Sequence, residues 1–500
     1  MKETWNVVKA RSVCVLVMLI ATLAFAASSG SVRGLREDLP TCASVFMGGT
    51  LLNDCRGPIV IDRSGTSLDC KGHVLYGQGS KVGIKIAPGT HEVTVKNCVV
   101  KSFGTGISVG SGANLNTITS NLADSNSEYG IYLESSFRNT LTANIANDNV
   151  AVGFLLLSSD SNYLGGNSAN GNGAGFYLDS LSVWQRGPSR PYSSGNTLSG
   201  NTAANNRAYG FHLTGGSSNA FNHNTASGSD KGFRVLSASS NTFTENSASG
   251  NGVGFEMIVA SLNVVVGNTA SVNQYGYLLA IGSSNLFATN TATDSTWAGF
   301  SIQSTRANTF SGNTARSNGG DGFYLDSSHS NSFLDNLASD NVGVGFNVYT
   351  SDSNVFSGNV ADGNLVLGFW FYGSSSSTVT RNRAIGNAGG GIDVGGGSSN
   401  YLEGNEAIGN LQVGIRLAQS PLSTLADNTA NSNMDDGFFL YSDQGYGSDI
   451  ITSNTANDNM RYGIEDFSFG NGTSGTDNLY TSNTCSGNLL GPARPEGLCS

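Results

Sequence analysis

Three residues of acid–base character, His212, Arg234 and Glu256, stand 22 residues apart, each two places after a glycine (Gly210, Gly232, Gly254). Tyr177 and Asp179 hold the positions two and four after Gly175, one unit earlier. A carboxylate, an imidazole and a guanidinium brought within reach of one another can abstract a proton or hand one to a leaving group. Tyr177, Asp179, His212, Arg234 and Glu256 are therefore the candidate catalytic set. Further along, Tyr324, Asp326, Tyr349, Trp370, Tyr372, Asp393 and Arg416 occupy the same two positions of later units. Flat aromatics flanked by carboxylates and Arg suit sugar rings, which offer an apolar face and a rim of hydroxyls. An insertion from Leu181 to Gly195 follows Asp179 and brings Trp184, Arg186, Arg190 and Tyr192 as one wall of a groove. A plainer reading stands beside this one. Charges on adjacent units (Arg234–Glu256, Asp393–Arg416) can simply pair, and Tyr and Phe are common on strands by propensity. The rows offer no clear pair of carboxylates across a cleft, and Asp435-Asp436 lies off them, which weakens a glycoside hydrolase reading.

Only a repeating fold converts such spacing into proximity. A clean copy runs NTFSGNTARSNGGDGFYLDSSHS from Asn308 to Ser330, with Asn308, Asn313 and Asn318 five apart and Gly322 four later. First-Asn positions recur every 22 or 23 residues from Asn116 to Asn400, apart from steps at 162→196 and 354→400. A fixed period of this size marks a solenoid. Apolar residues alternate in short pieces (Phe323 and Leu325, Phe346 and Val348) between Asn, Gly and Ser, the pattern of strands joined by tight turns. The fold class read from this is all-β: a right-handed parallel β-helix with three short strands per coil. Asn tolerates the left-handed backbone of turns, and identical Asn stacked coil on coil can form amide ladders. After each repeat Gly, positions +1 and +3 should point inward and +2 and +4 outward, so equal positions form rows ~4.8 Å apart per coil.

The ends differ. Residues 1–26 carry Lys2, Lys9 and Arg11 before an apolar run from Val13 to Phe25 and an A-x-A site, the pattern of a cleaved signal peptide. Residues 27–115 hold most of the lysines and read as an N-terminal cap with the first irregular coils. Residues 116–490 are the β-helix repeats and 491–500 a C-terminal tail. A secreted or periplasmic protein is expected, with no transmembrane segment once the signal near Ala26 is cut. Six cysteines remain outside the signal, at the two ends, and the favoured pairings are Cys42–Cys55, Cys70–Cys98 and Cys485–Cys499. Loss of Lys2, Lys9, Arg11 and Glu3 with the signal takes the net charge from −11 to −13. So acidic a chain, with no basic cluster, is a poor partner for nucleic acid. No cofactor or metal is expected; Ca²⁺ is the one ion such acidity allows, and no calcium motif supports it. The expected state is a monomer.

The stretch LDCKGHVLYGQG…VGIKI…VTVKNCVVKSFGTGISV, followed by N-x-h-x-x-N-x-A-x-x-N-x-x-x-G-h-x-h copies, resembles the right-handed β-helix repeat proteins of the pectin-lyase-like superfamily, with a NosD-like flavour. The resemblance covers roughly residues 42–490. It implies a three-sheet helix, export, and binding, cleavage or epimerisation of an extracellular polysaccharide; a lyase, epimerase or glycoside hydrolase is the enzyme type it implies. It carries no catalytic set, since the Gly-His-Gly and Asn-Thr-Asp signatures of polygalacturonases are absent. Only five His in no ligand-like cluster speak against copper handling. The alternative is a non-enzymatic structural or adhesive surface protein.

Overall fold

The computed structural model describes residues 39–42, 46, 48–179, 192–442 and 448–500. The expected signal segment and Trp184, Arg186 and Arg190 lie outside the described residues. Among those described, nearly every residue in regular structure is in a strand, and every strand pairing is parallel. The strands fall into three sheets that wind up the molecule turn after turn. The first sheet runs from Gly49–Thr50 to Leu479–Thr481 in 19 strands. The second runs from Cys55–Arg56 to Thr484–Ser486, its first 4 strands joined to the next 14 by single bridges at Leu122, Ile145 and Ser168. The third holds the longest strands, from Ile59–Ile61 to Gly491–Arg494, so the first four residues of the expected tail extend this sheet.

Alternation sets what each strand buries. In Phe323–Asp326 the Phe and Leu are fully buried and the Tyr and Asp look outward. The inward aromatics stack between turns: Phe154, Phe176, Phe211, Phe233, Phe255, Tyr277, Phe300, Phe323, Phe346 and Phe369 form one column, with ring centroids 4.6–4.9 Å apart. Opposite them runs a column of alanines so close that the repeat glycine has no room for a side chain. A Cβ on Gly232 would stand 2.7 Å from the Gly254 carbonyl oxygen and 3.1 Å from the Ala248 Cβ. Close approach, and not a left-handed backbone, is what requires glycine there.

The corners are held by amides. The Oδ1 of Asn268 accepts from the backbone N–H and the Nδ2 of Asn246, while its own Nδ2 donates to the Phe243 carbonyl and to Asn290 Oδ1. This middle ladder runs unbroken from Asn121 to Asn483. The ladders are those expected, but the asparagines themselves are not left-handed. The residue before each one is (Ser120, Ala143, His223, Glu245, Gly267 and their equivalents). The reason is geometric: the chain turns one residue early, which aims the amide inward at buried backbone groups that have no other partner. The ends are closed by disulfides Cys42–Cys55, Cys70–Cys98 and Cys485–Cys499.

Candidate functional site

The outward rows of the third sheet are the rows the sequence spacing defines. Tyr177 pairs with His212, His212 with Arg234, and Arg234 with Glu256; later Tyr324, Asn347, Trp370, Asp393 and Arg416 face one another in turn. A third outward position, however, was not legible. The repeat glycine interrupts the two-residue alternation, so the residue just before it also faces the outer side. Tyr209, Lys231 and Asp321 occupy that row and contact +2 side chains, and Asp436 holds the same place and meets Arg461. As a result the +2 row is not uniformly exposed. His212 and Glu256 are each 5% exposed, Asp393 8% and Glu465 0%.

In the first cluster the five candidate catalytic residues are brought together as a continuous chain of contacts. Tyr177 donates from its hydroxyl to Asp179 Oδ2 at 2.8 Å. Its ring stacks on His212 at 4.4 Å, and Tyr209 tilts against the imidazole at the same distance. Arg234 donates to the Tyr209 hydroxyl, sits over that ring at 5.1 Å, and places its Nε 2.9 Å from Glu256 Oε2. Glu256 also has Lys231 at 3.8 Å. Burial and the Arg234 charge push His212 down to about 3, so the imidazole is neutral at neutral pH. Its Nε2 lies 3.1 Å from Thr214 Oγ1 and its buried Nδ1 has no partner. Burial raises Glu256, with Lys231 and Arg234 opposing, and lifts Tyr177 to about 12. At neutral pH such a His is a neutral stacking element and not an imidazolium acid. Tyr192, from the end of the insertion, packs toward Gly215; Trp184 is outside the described residues.

The second cluster is open. Tyr349 and Tyr372 stack at 5.7 Å with ring planes 7° apart, and Trp370 tilts against Tyr372 at 5.8 Å. Beside them Arg416 Nη1 donates to Asp393 Oδ2 at 2.8 Å, while the buried Asp393 Oδ1 has no partner. Burial raises the Asp393 carboxyl against the pull of Arg416. Val366, Leu367, Trp370, Tyr372, Asp393 and Arg416 line a groove of about 410 Å³. Tyr324 and Asp326 lie on an earlier turn of the same face, Asp326 Oδ1 taking the Ser327 hydroxyl at 2.9 Å. Asp321, missed by the sequence reading, accepts from the Val344 N–H at 2.7 Å and from Asn347 Nδ2 at 2.9 Å. A larger cavity of about 620 Å³ at the first turns, beside Arg63, Asp69 and Lys96, has no aromatic lining.

A third cluster also escaped the sequence. Asp436, set aside as off the row, lies beside Glu465: Arg461 reaches Asp435 at 3.0 Å, Asp436 at 3.3 Å and Glu465 at 3.2 Å, and Arg494 reaches Glu465 at 3.2 Å. Both inner carboxylates are buried, and burial lifts Asp436 to about 7. Among the described residues no three His, Cys, Asp or Glu side chains converge as a metal site requires, and no helix is long and apolar enough to cross a membrane.

A family model described as the right handed β-helix region matches residues 82–248, 232–361 and 351–480, most of the chain. The chain belongs to the right-handed β-helix family. Among solved structures this β-helix is similar to an alginate lyase from Paenibacillus sp. str. FPU-7, at 11% identity over 45% of this chain and 86% of that one, with a TM-score of 0.35. It is similar to a periplasmic alginate epimerase at 12% identity, over 83% and 78% of the two chains, with a TM-score of 0.33. A DFA-IIIase from Arthrobacter chlorophenolicus A6 gives 12% identity, 56% and 81% coverage, and a TM-score of 0.35. No curated protein matches.

Proposed function

We propose that this β-helix protein acts outside the cytoplasm and binds a polysaccharide along the outer face of the third sheet, centred on the groove at Trp370. One observation carries the reading: Trp370 and Tyr372 line one groove beside the buried Asp393 and its partner Arg416, and Tyr349 extends the aromatic surface by stacking on Tyr372. A saccharide needs both parts, a flat apolar surface for the ring and fixed polar groups for its hydroxyls. The volume falls within the range of small-molecule sites and the groove runs along the stacking axis, so a linear glycan meets a new turn every ~4.8 Å. The three disulfides fit an oxidising compartment.

Binding, not cleavage or epimerisation, is the activity this geometry supports best. The first cluster links an acid, a His and an Arg, but its imidazole packs against two tyrosines and is neutral at neutral pH, a weak base and no imidazolium acid. That closure favours the second reading, a non-enzymatic adhesive or structural role built on the same sugar contacts. The test is a glycan array with the full chain, beside lyase and hydrolase screens. Trp370→Ala should weaken any binding by about tenfold or more, the scale of an aromatic anchor, and Tyr324→Ala by less. Binding untouched by Trp370→Ala overturns the placement.

A further inference from the structure

The charges around the Trp370 groove select among saccharides. Asp321, Asp326 and Asp393 lie on this face within the turns around it, and Arg416 is the one cation among the described residues that line the groove. Arg416 is not free: its Nη1 is committed to Asp393 Oδ2 at 2.8 Å. A carboxylate-bearing ligand would meet only the remaining N–H donors of a guanidinium whose charge is already offset by the Asp393 carboxylate, so it gains little net charge attraction there. The field of the whole chain, with a formal charge of −11, opposes the same ligand. Asp393 has an opposite want. Its Oδ1 accepts no hydrogen bond, so the groove wall holds an acceptor that a ligand hydroxyl or ammonium would satisfy.

Resting on the reading that this groove holds a glycan, we infer that the glycan donates hydrogen bonds and carries no carboxylate: a neutral or amino-sugar polysaccharide and not a polyuronate. Asp393 acts as the specificity residue by holding Arg416 in a neutral pair. The experiment is calorimetric titration of the full chain near neutral pH and about 0.15 M salt with three probes. These are a neutral β-glucan oligosaccharide, a chitosan oligosaccharide and an oligogalacturonate. The wild type should bind the first or second in a Trp370-dependent way and oligogalacturonate at least about tenfold more weakly. Chitosan binding that fades with salt identifies the amino sugar; binding indifferent to salt identifies the neutral one. Asp393→Asn, which releases Arg416, should raise oligogalacturonate affinity by about tenfold. Should that variant fail to fold, Arg416→Gln serves instead and should widen the discrimination against oligogalacturonate. Tight, Trp370-dependent oligogalacturonate binding by the wild type overturns the inference and leaves the saccharide site standing. Absence of Trp370-dependent binding to all three removes both.

Discussion

His212 shows how a residue's chemistry is decided by what stacks on it. It is buried against Tyr177 and Tyr209 and lies near the Arg234 charge, so desolvation, and then that charge, disfavour its protonated form and its titration moves from the usual 6.5 to about 3. The native state then binds fewer protons than the unfolded chain between those values. This residue favours the folded form above about pH 6.5 and progressively less as pH falls towards 3. Imidazole NMR signals should show one histidine that stays neutral through the mildly acidic range. A midpoint for His212 near its ordinary value would contradict this and restore it as a proton carrier. His212→Phe, which keeps the stack, should change stability by less than about 1.5 kcal/mol. Sequence spacing located His212, Arg234 and Glu256 on touching turns, but not their burial. Burial comes from Tyr209 and Lys231, and alternation alone places neither of them on the outer face.

At the scale of the element, each corner amide has several partners at once. Asn268→Ala would orphan the Phe243 carbonyl and the N–H groups of Asn246, at about 1–3 kcal/mol per buried group, lowering the melting temperature measurably. An equal melting temperature would mean water replaces the amide. One ladder position holds an acid instead. Asp449 accepts from the Ser423 N–H at 2.7 Å and donates its own N–H to Asn478 Oδ1, where other turns place Asn. Burial raises its carboxyl to about 7, so the native state holds the extra proton between the ordinary 3.8 and that value. Its stabilising form is complete below about pH 4 and lost as pH rises through 7. Asp449→Asn should match the wild type in melting near the lower limit and exceed it increasingly up to neutral pH, by an amount on the order of a few kcal/mol. A difference that does not change with pH would contradict the assignment. The ladder itself was legible because Asn recurs at a fixed step. The Asp436–Arg461–Glu465 cluster was not, because the last steps lengthen to 26 and 29 residues and the outward register drifts out of view.

Across the described turns, the strand pairings and Asn ladders reach only the turns above and below, with Ser127–Gly79 and Arg207–Val150 reaching one turn further, so stability is close to a sum of like units closed by atypical ends. Period, composition and alternation sufficed for three sheets, parallel pairing, and inward Phe323 and Leu325; the three disulfide pairs, favoured among fifteen possible pairings, are the ones the structure contains. The groove was not readable, since it depends on which outward residues are overhung by the row before the glycine. A Cys485→Ser, Cys499→Ser chain should lose hydrogen-exchange protection in its last turns and keep it at Phe211 or Phe323; loss throughout would contradict unit-by-unit stability. Glycan binding at the Trp370 groove is tested most directly by hydrogen exchange of the full chain with and without a saturating bound oligosaccharide. It predicts added protection in Phe346–Tyr349, Phe369–Tyr372, Ile392–Gly395 and Ile415–Ala418. Protection centred instead on Ala174–Asp179 through Val253–Ile258, or on another sheet, would contradict it.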